Sequence, residues 1–242
     1  NPLVVLERID EQSVEQCVDR AIGEECFNNA DFDRTKLQGE LSIVRKIVIR
    51  YLKDNLIAYD IAHPNFFVTA LEDVFDAPFE FEVDGKKLSV VFEGRADRVD
   101  GLADGTCRII DYKTGGCHLT FWGFEKLFYG KDAQRVSNTI NTLIYAMIMR
   151  RKRDVEVQPA LYYLREMYDT SYSPLLRISQ GAGKRALTVE RYTDIAESFE
   201  LHLSQVLSEL FDPKIPLRQA EDPLACTYCD YAAICGKKRL NL

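Results

Sequence analysis

The sequence predicts an α/β fold in which a mixed β-sheet with an antiparallel meander is flanked by helices in a single domain. Three observations predict it. Apolar residues recur at helical spacing over the first 60 residues, give strand and turn signals from residue 66 to about 113, and resume helical spacing from about 133. A short apolar run, Pro159 to Leu164, follows that last helical stretch. Such a run after a helix suggests a crossover and a strand parallel to an earlier one.

In chain order, Ser13 to Phe27 carries Val14, Cys17, Val18, Ala21, Ile22 and Cys26 on one stripe and reads as an amphipathic helix. Leu41 to Tyr59 repeats the pattern with Ile43, Val44, Ile47, Val48, Tyr51, Leu52, Leu56 and Tyr59. Phe67 to Phe75 reads as a strand, and Phe79 to Val83 alternates strictly before the turn Asp84-Gly85. Leu88 to Val99 and Cys107 to Tyr112 are the next strands. Ala133 to Arg151 is a helix with Val136, Ile140, Leu143, Ile144, Met147 and Ile148 as its buried stripe. Thr188 is placed to cap a last long helix to about Phe211. One domain is expected over residues 1–242: a helical part (1–65), a sheet core with its helix (66–175), and a final helix with a cysteine-rich tail (176–242).

Composition narrows the class. The 242 residues are 46% hydrophobic and 29% charged, an ordinary globular mixture. The net charge of −7 argues against a basic coat over the whole surface, while leaving room for a local basic groove. Residues 1–40 hold ten acids against four bases, and bases gather at Arg95, Arg98, Lys113, Lys126, Lys131, Arg135 and Arg150-Arg151-Lys152-Arg153. Either a phosphate-contacting face or, for the last run, a helix C-terminus accounts for them. Seven cysteines, an odd number in a long chain, do not suit a secreted disulfide framework. No run reaches the length of a membrane span, and the start has neither a signal peptide nor an initiator Met. The expectation is a soluble cytoplasmic chain that is a fragment of something longer.

The chemistry concentrates in Phe92-Glu93-Gly94-Arg95-Ala96-Asp97-Arg98-Val99-Asp100 and in Arg108-Ile109-Ile110-Asp111-Tyr112-Lys113-Thr114-Gly115-Gly116. Asp97 and Asp111 end neighbouring strands of one hairpin. Lys113 is two residues beyond Asp111, so the two side chains share a face. Two carboxylates and an ammonium side by side suit a hard divalent cation and a phosphate. An Asp-x-Lys tripeptide by itself is as readily a solvated strand end. The buried Ile109-Ile110 leading into it and Gly115-Gly116 following it make it a constellation.

Gly-Arg-Ala-Asp-Arg-Val-Asp followed by Ile-Ile-Asp-Tyr-Lys-Thr-Gly closely resembles the PD-(D/E)XK nuclease superfamily, and within it the RecB-like nuclease domain of AddAB/RecBCD-type helicase–nucleases. The resemblance implies a restriction-endonuclease-like core in which Asp97 and Asp111 bind Mg²⁺ or Mn²⁺, the Tyr112 carbonyl adds a ligand and Lys113 is catalytic. It further implies that Asn141 and Tyr145 stand for the family's Gln-x-x-x-Tyr, with a shorter amide, on one helix face. Glu72, on the strand before, is an accessory candidate whose other reading is an edge salt bridge. The family's metal-binding His has no clear counterpart among His63, His118 and His202, and is expected upstream of Asn1.

Cys226, Cys229 and Cys235 lie within ten residues and read as metal ligands. Their spacing resembles the iron–sulfur staple of AddB-type nucleases, which implies a [4Fe–4S] cluster whose fourth ligand lies upstream; zinc is the alternative. Cys17 and Cys26 read as core residues. Phe121, Trp122, Phe124 and Phe128 form an aromatic group suited to core packing or to stacking on unpaired bases. The resulting expectation is a metal-dependent DNA nuclease of exonuclease type, partnered by DNA and a helicase domain or subunit in recombination or repair, with DNA contacts at Arg95, Arg98, Lys131 and Arg135. The competing readings are an inactive DNA-binding or scaffolding module with the same fold and, more weakly, a hydrolase of small phosphoesters.

Overall fold

The computed structural model describes residues 9–29, 31, 33–129, 133–216, 218–219, 226–227 and 229–236, without the side chains of 34 and 133–136. Helix α1 (Glu11–Phe27) starts at Asp10, whose side chain accepts from the Ser13 amide, and ends at Asn28 in the left-handed region. Helix α2 (Glu40–Arg50) runs through a π-helical stretch, Tyr51–Ile57, into α3 (Ala58–Ala62). Arg45 binds Asp19 and Glu15 and so ties α2 to α1. The stripes of both helices are less buried than their spacing suggests. In α1 only Val14, Val18 and Gly23 are buried, and Cys17 and Cys26 are exposed rather than in the core. Ile43, Val44, Ile47 and Val48 of α2 are also exposed. These helices meet the sheet mainly through Leu56 and Tyr59, which pack with Ile110, Ala160 and Tyr162.

The two strands expected over 67–83 form one, β1 (Phe66–Val83), paired antiparallel with β2 (Lys86–Leu102). Pro78 does not break β1, because β1 is the edge strand, where proline is tolerated. Asp84 and Gly85, both at positive φ, close the hairpin as expected. β3 (Cys107–Lys113) pairs antiparallel with β2, and β5 (Val157–Tyr163) lies parallel to β3, giving the order β1-β2-β3-β5. The crossover between β3 and β5 carries β4 (Thr120–Phe121), α4 (Phe124–Tyr129) and α5 (Ala133–Arg153). β4 joins β6 (Arg177–Ile178) and β7 (Leu187–Thr188) in a second, small sheet.

The core lies between the main sheet, α5 and α6 (Ala196–Phe211). Leu143, Ala146, Met147 and Ile148 of α5 meet Val99, Ile109 and Leu161, and Phe199, Leu203 and Leu207 of α6 complete the cluster. Thr188 does not cap the last helix. It pairs with Arg177 in β7, Val189 bonds to the Leu176 carbonyl, and a 3₁₀ turn at Tyr192–Asp194 delays the helix until Ala196. Phe121, Phe124 and Phe128 pack with Phe199 and its neighbours, while Trp122 stays exposed beneath Lys126.

Candidate active site

Backbone pairing between β2 and β3 runs from Gly101↔Cys107 to Arg98↔Ile110, which leaves Asp97 and Asp111 opposite one another as the next step of the register. At that point the Asp97 carboxylate takes over from the ladder: its Oδ2 accepts the Tyr112 N–H at 2.7 Å. Lys113 Nζ lies 2.5 Å from Asp111 Oδ2. Asp97, Asp111 and Lys113 are all half-buried. The structure therefore brings together the three residues that the strand alternation put on one face. Burial pushes the Asp111 carboxyl above the usual carboxylate range; Lys113 opposes the shift and the charge of Asp97 adds to it.

Tyr145 completes one wall. Its ring lies over Gly94, where an added Cβ would come within 2.6 Å of it, and meets Phe75 edge-on at 5.9 Å. Burial raises its phenol pKa, and the charges of Asp111, Lys113, Asp97 and Arg95 all reach it. Asn141, one turn earlier on α5, is exposed. Glu72 falls opposite Asp97 between the pairs Leu71↔Arg98 and Asp73↔Ala96, with φ at +49°. Its carboxylate bonds Arg95 at 3.1 Å on the surface, the edge salt bridge rather than a place among the site acids.

The reverse face of the same strands corrects one expectation. Arg98 is not available to DNA, because its side chain is 5% exposed. It donates from Nη1 to Asp60 Oδ2 at 2.6 Å and from Nε and Nη2 to Asp100 at 2.7 and 3.1 Å. It also lies over the Phe66 ring and reaches the Tyr112 hydroxyl at 3.4 Å. Arg108 donates to the same Asp100 at 2.7 Å. Burial alone would lower the Arg98 pKa, but Asp100 and Asp60 raise it overall. Alternation carries the signal that was missed: Arg98 and Asp100 must point away from the face that Asp97 occupies. Asp60, 38 residues earlier, had no local signal.

Three residues of the basic run at the end of α5 make contacts within the protein. Arg151 donates to the Pro78 carbonyl and to Glu200, Lys152 pairs with Asp76, and Arg153 pairs with Asp73. Arg95 is exposed and engaged with Glu72. Lys131 lies outside the described residues, as does the side chain of Arg135 on α5. His63 stacks on Tyr59 and contacts its carbonyl, and His202 contacts the Ser198 carbonyl. Residues 226–227 and 229–236 of the tail lie in turns. Among the described residues no three His, Cys, Asp or Glu side chains gather where they could hold a metal ion. Cys226, Cys229 and Cys235, all free thiols, therefore do not assemble the expected iron–sulfur or zinc site.

Asp97 and Asp111 do fit a hard divalent cation. Mg²⁺ is commonly held by one or two carboxylates and completes its shell with waters and phosphate oxygens. Here two carboxylates repel across a strand pair with one ammonium paired to Asp111, and a divalent charge relieves that repulsion. The Tyr112 carbonyl is the expected further ligand.

This sheet, crossover and carboxylate pair define a nuclease-type α/β fold. The chain belongs to the PD-(D/E)XK nuclease superfamily, whose sequence profile matches residues 5–236. No curated protein matches the chain significantly. Among solved structures, one titled "Crystal structure of SSO0001" is similar at 14% identity over 94% of this chain and 84% of that one. Its TM-score of 0.30 carries no argument about function. Among the described residues no helix is long and apolar enough to cross a membrane.

Proposed function

We propose that this domain is a Mg²⁺- or Mn²⁺-dependent deoxyribonuclease of exonuclease type, in the RecB-like, AddB-type branch, working with a helicase in cytoplasmic DNA recombination or repair. The observation that carries it is the opposition of Asp97 and Asp111 on one sheet face with Lys113 paired to Asp111. Asp97, Asp111 and the Tyr112 carbonyl hold the cation. When bound, the cation polarises the phosphate and lowers the pKa of water. Lys113 orients the attacking water and stabilises charge developing on the phosphate. The Tyr145 ring walls the site on the α5 side, Asn141 faces the DNA backbone, and Arg95, Lys131 and Arg135 meet flanking phosphates. Residues 1–242 act together as one nuclease domain.

Cleavage of end-labelled linear DNA and of closed circles tests this reading. Asp111→Ala and Lys113→Ala should each lower metal-dependent cleavage of linear DNA by at least about 10³-fold, the loss of several kcal/mol of transition-state stabilisation. Circles should stay intact. Undiminished cleavage by both variants would overturn the assignment. The competing reading, a catalytically inactive DNA-binding module, draws on the absence of a third His, Cys, Asp or Glu side chain beside Asp97 and Asp111 among the described residues. It predicts that Mn²⁺ titration of the wild type detects no site dependent on Asp97 and Asp111.

A further inference from the structure

The two strands that carry the site acids are no longer paired by backbone where those acids stand, since pairing ends at Arg98↔Ile110. Two side-chain contacts hold them there, and both end on Tyr112. On the site face Asp97 accepts the Tyr112 amide proton; on the reverse face Arg98 reaches the Tyr112 hydroxyl at 3.4 Å. The Tyr112 ring is held further by an edge contact to Tyr162 at 5.9 Å. Tyr112 also sits between Asp111 and Lys113, so a change in its position moves both.

Arg98 is itself fixed from three sides. Asp100 grips it through a two-pronged contact, Phe66 lies against its plane, and Asp60 takes Nη1. Asp60 does not belong to the sheet. It lies on α3, at the end of the N-terminal helices, which otherwise meet the strands through Tyr59, Leu56 and the Asn55 side chain bound to the Leu164 carbonyl. Asp60 is thus the charged link between those helices and the strand ends.

We infer that Arg98 and Asp60 are positioning residues for the cation site: Asp60 on α3 holds Arg98, Arg98 holds Tyr112, and Tyr112 sets the gap between the Asp97 and Asp111 carboxylates. This rests on the cation reading proposed above. The N-terminal helices then tune metal affinity without contributing a ligand. Residues that orient metal ligands from behind commonly change affinity by about 10- to 100-fold when altered.

Asp60→Asn and Tyr112→Phe, made in the full chain, test the relay against the wild type. Calorimetric titration with Mn²⁺ should show affinity weakened about tenfold in Asp60→Asn and by a smaller factor in Tyr112→Phe. The half-saturating metal concentration for cleavage should rise in step, with the KM for DNA unchanged. Hydrogen exchange at the Tyr112 amide, followed without metal, should quicken in both variants while exchange at Ile109, inside the paired ladder, stays as in the wild type. Wild-type Mn²⁺ affinity and wild-type Tyr112 exchange in both variants would overturn the relay. Equal acceleration at Ile109 would also overturn it, because Asp60 would then serve only general stability. If the wild type binds no Mn²⁺, the cation reading fails, and Tyr112 exchange still decides whether Asp60 and Arg98 hold the strand ends.

Discussion

Single residues decide this site by which side of a strand they occupy. Asp97 and Arg98 are neighbours in sequence, yet one faces a prospective cation and the other is sealed among Asp60, Asp100 and Phe66. The same alternation made Asp97, Asp111 and Lys113 legible from sequence, and it should have withdrawn Arg98 from the DNA face. Gly94 is as tightly constrained as the acids. An added Cβ would sit 2.6 and 2.9 Å from Tyr145 ring carbons and 3.0 Å from Phe75. Gly94→Ala should therefore cost about 1–3 kcal/mol in urea unfolding, as overpacking does, and displace Tyr145 enough to lower cleavage. A stability equal to that of the wild type would show that the ring moves aside freely.

At the scale of elements, the antiparallel hairpin, the crossover helix and the parallel strand after it followed from periodicity, because each buries a face whose period the sequence displays. The last helix ends at Phe211 as expected but starts at Ala196 and not at Thr188, for a tertiary reason: residues 187–188 find strand partners in β6. The pairing of Arg151, Lys152 and Arg153 had no local signal because their partners, Asp73, Asp76, Pro78 and Glu200, are far away in sequence. Those pairs fasten α5 to β1 and α6. Arg153→Ala should accordingly cost at most about 1 kcal/mol in denaturant, since its pair with Asp73 is partly exposed. It should leave the salt dependence of DNA binding unchanged, whereas Arg95→Ala should lower that slope by about one. A flattened slope for Arg153→Ala would return the run to the DNA face.

For the whole molecule, stability and activity pull on the same carboxylate. Burial raises the folded-state pKa of Asp111, so the folded chain holds that proton more tightly than the unfolded chain. Its contribution to stability is greatest below the ordinary carboxylate range and is lost as pH rises through the raised folded value. Buried Asp60 is shifted in the same direction. Without metal, Asp111→Asn should therefore melt above the wild type at pH 8 and converge with it in acid, while losing cleavage. Thermal melts at both pH values check this, and equal melting at pH 8 would refute it. Added Mn²⁺ should stabilise the wild type and not the variant, by mass action on the folded form. The length of the first hairpin gives that binding a mechanical side. Only residues 98–101 of β2 carry β3 as a neighbour, so most of β1 and β2 extends as a two-stranded arm leaning on α5 and α6. Asp97 stands at the root of that arm, opposite the left-handed kink at Glu72, while Asp111 belongs to the body. A cation clasped between them would brace the arm against its base, and occupancy of the site would be felt as stiffness at the distant turn Asp84-Gly85.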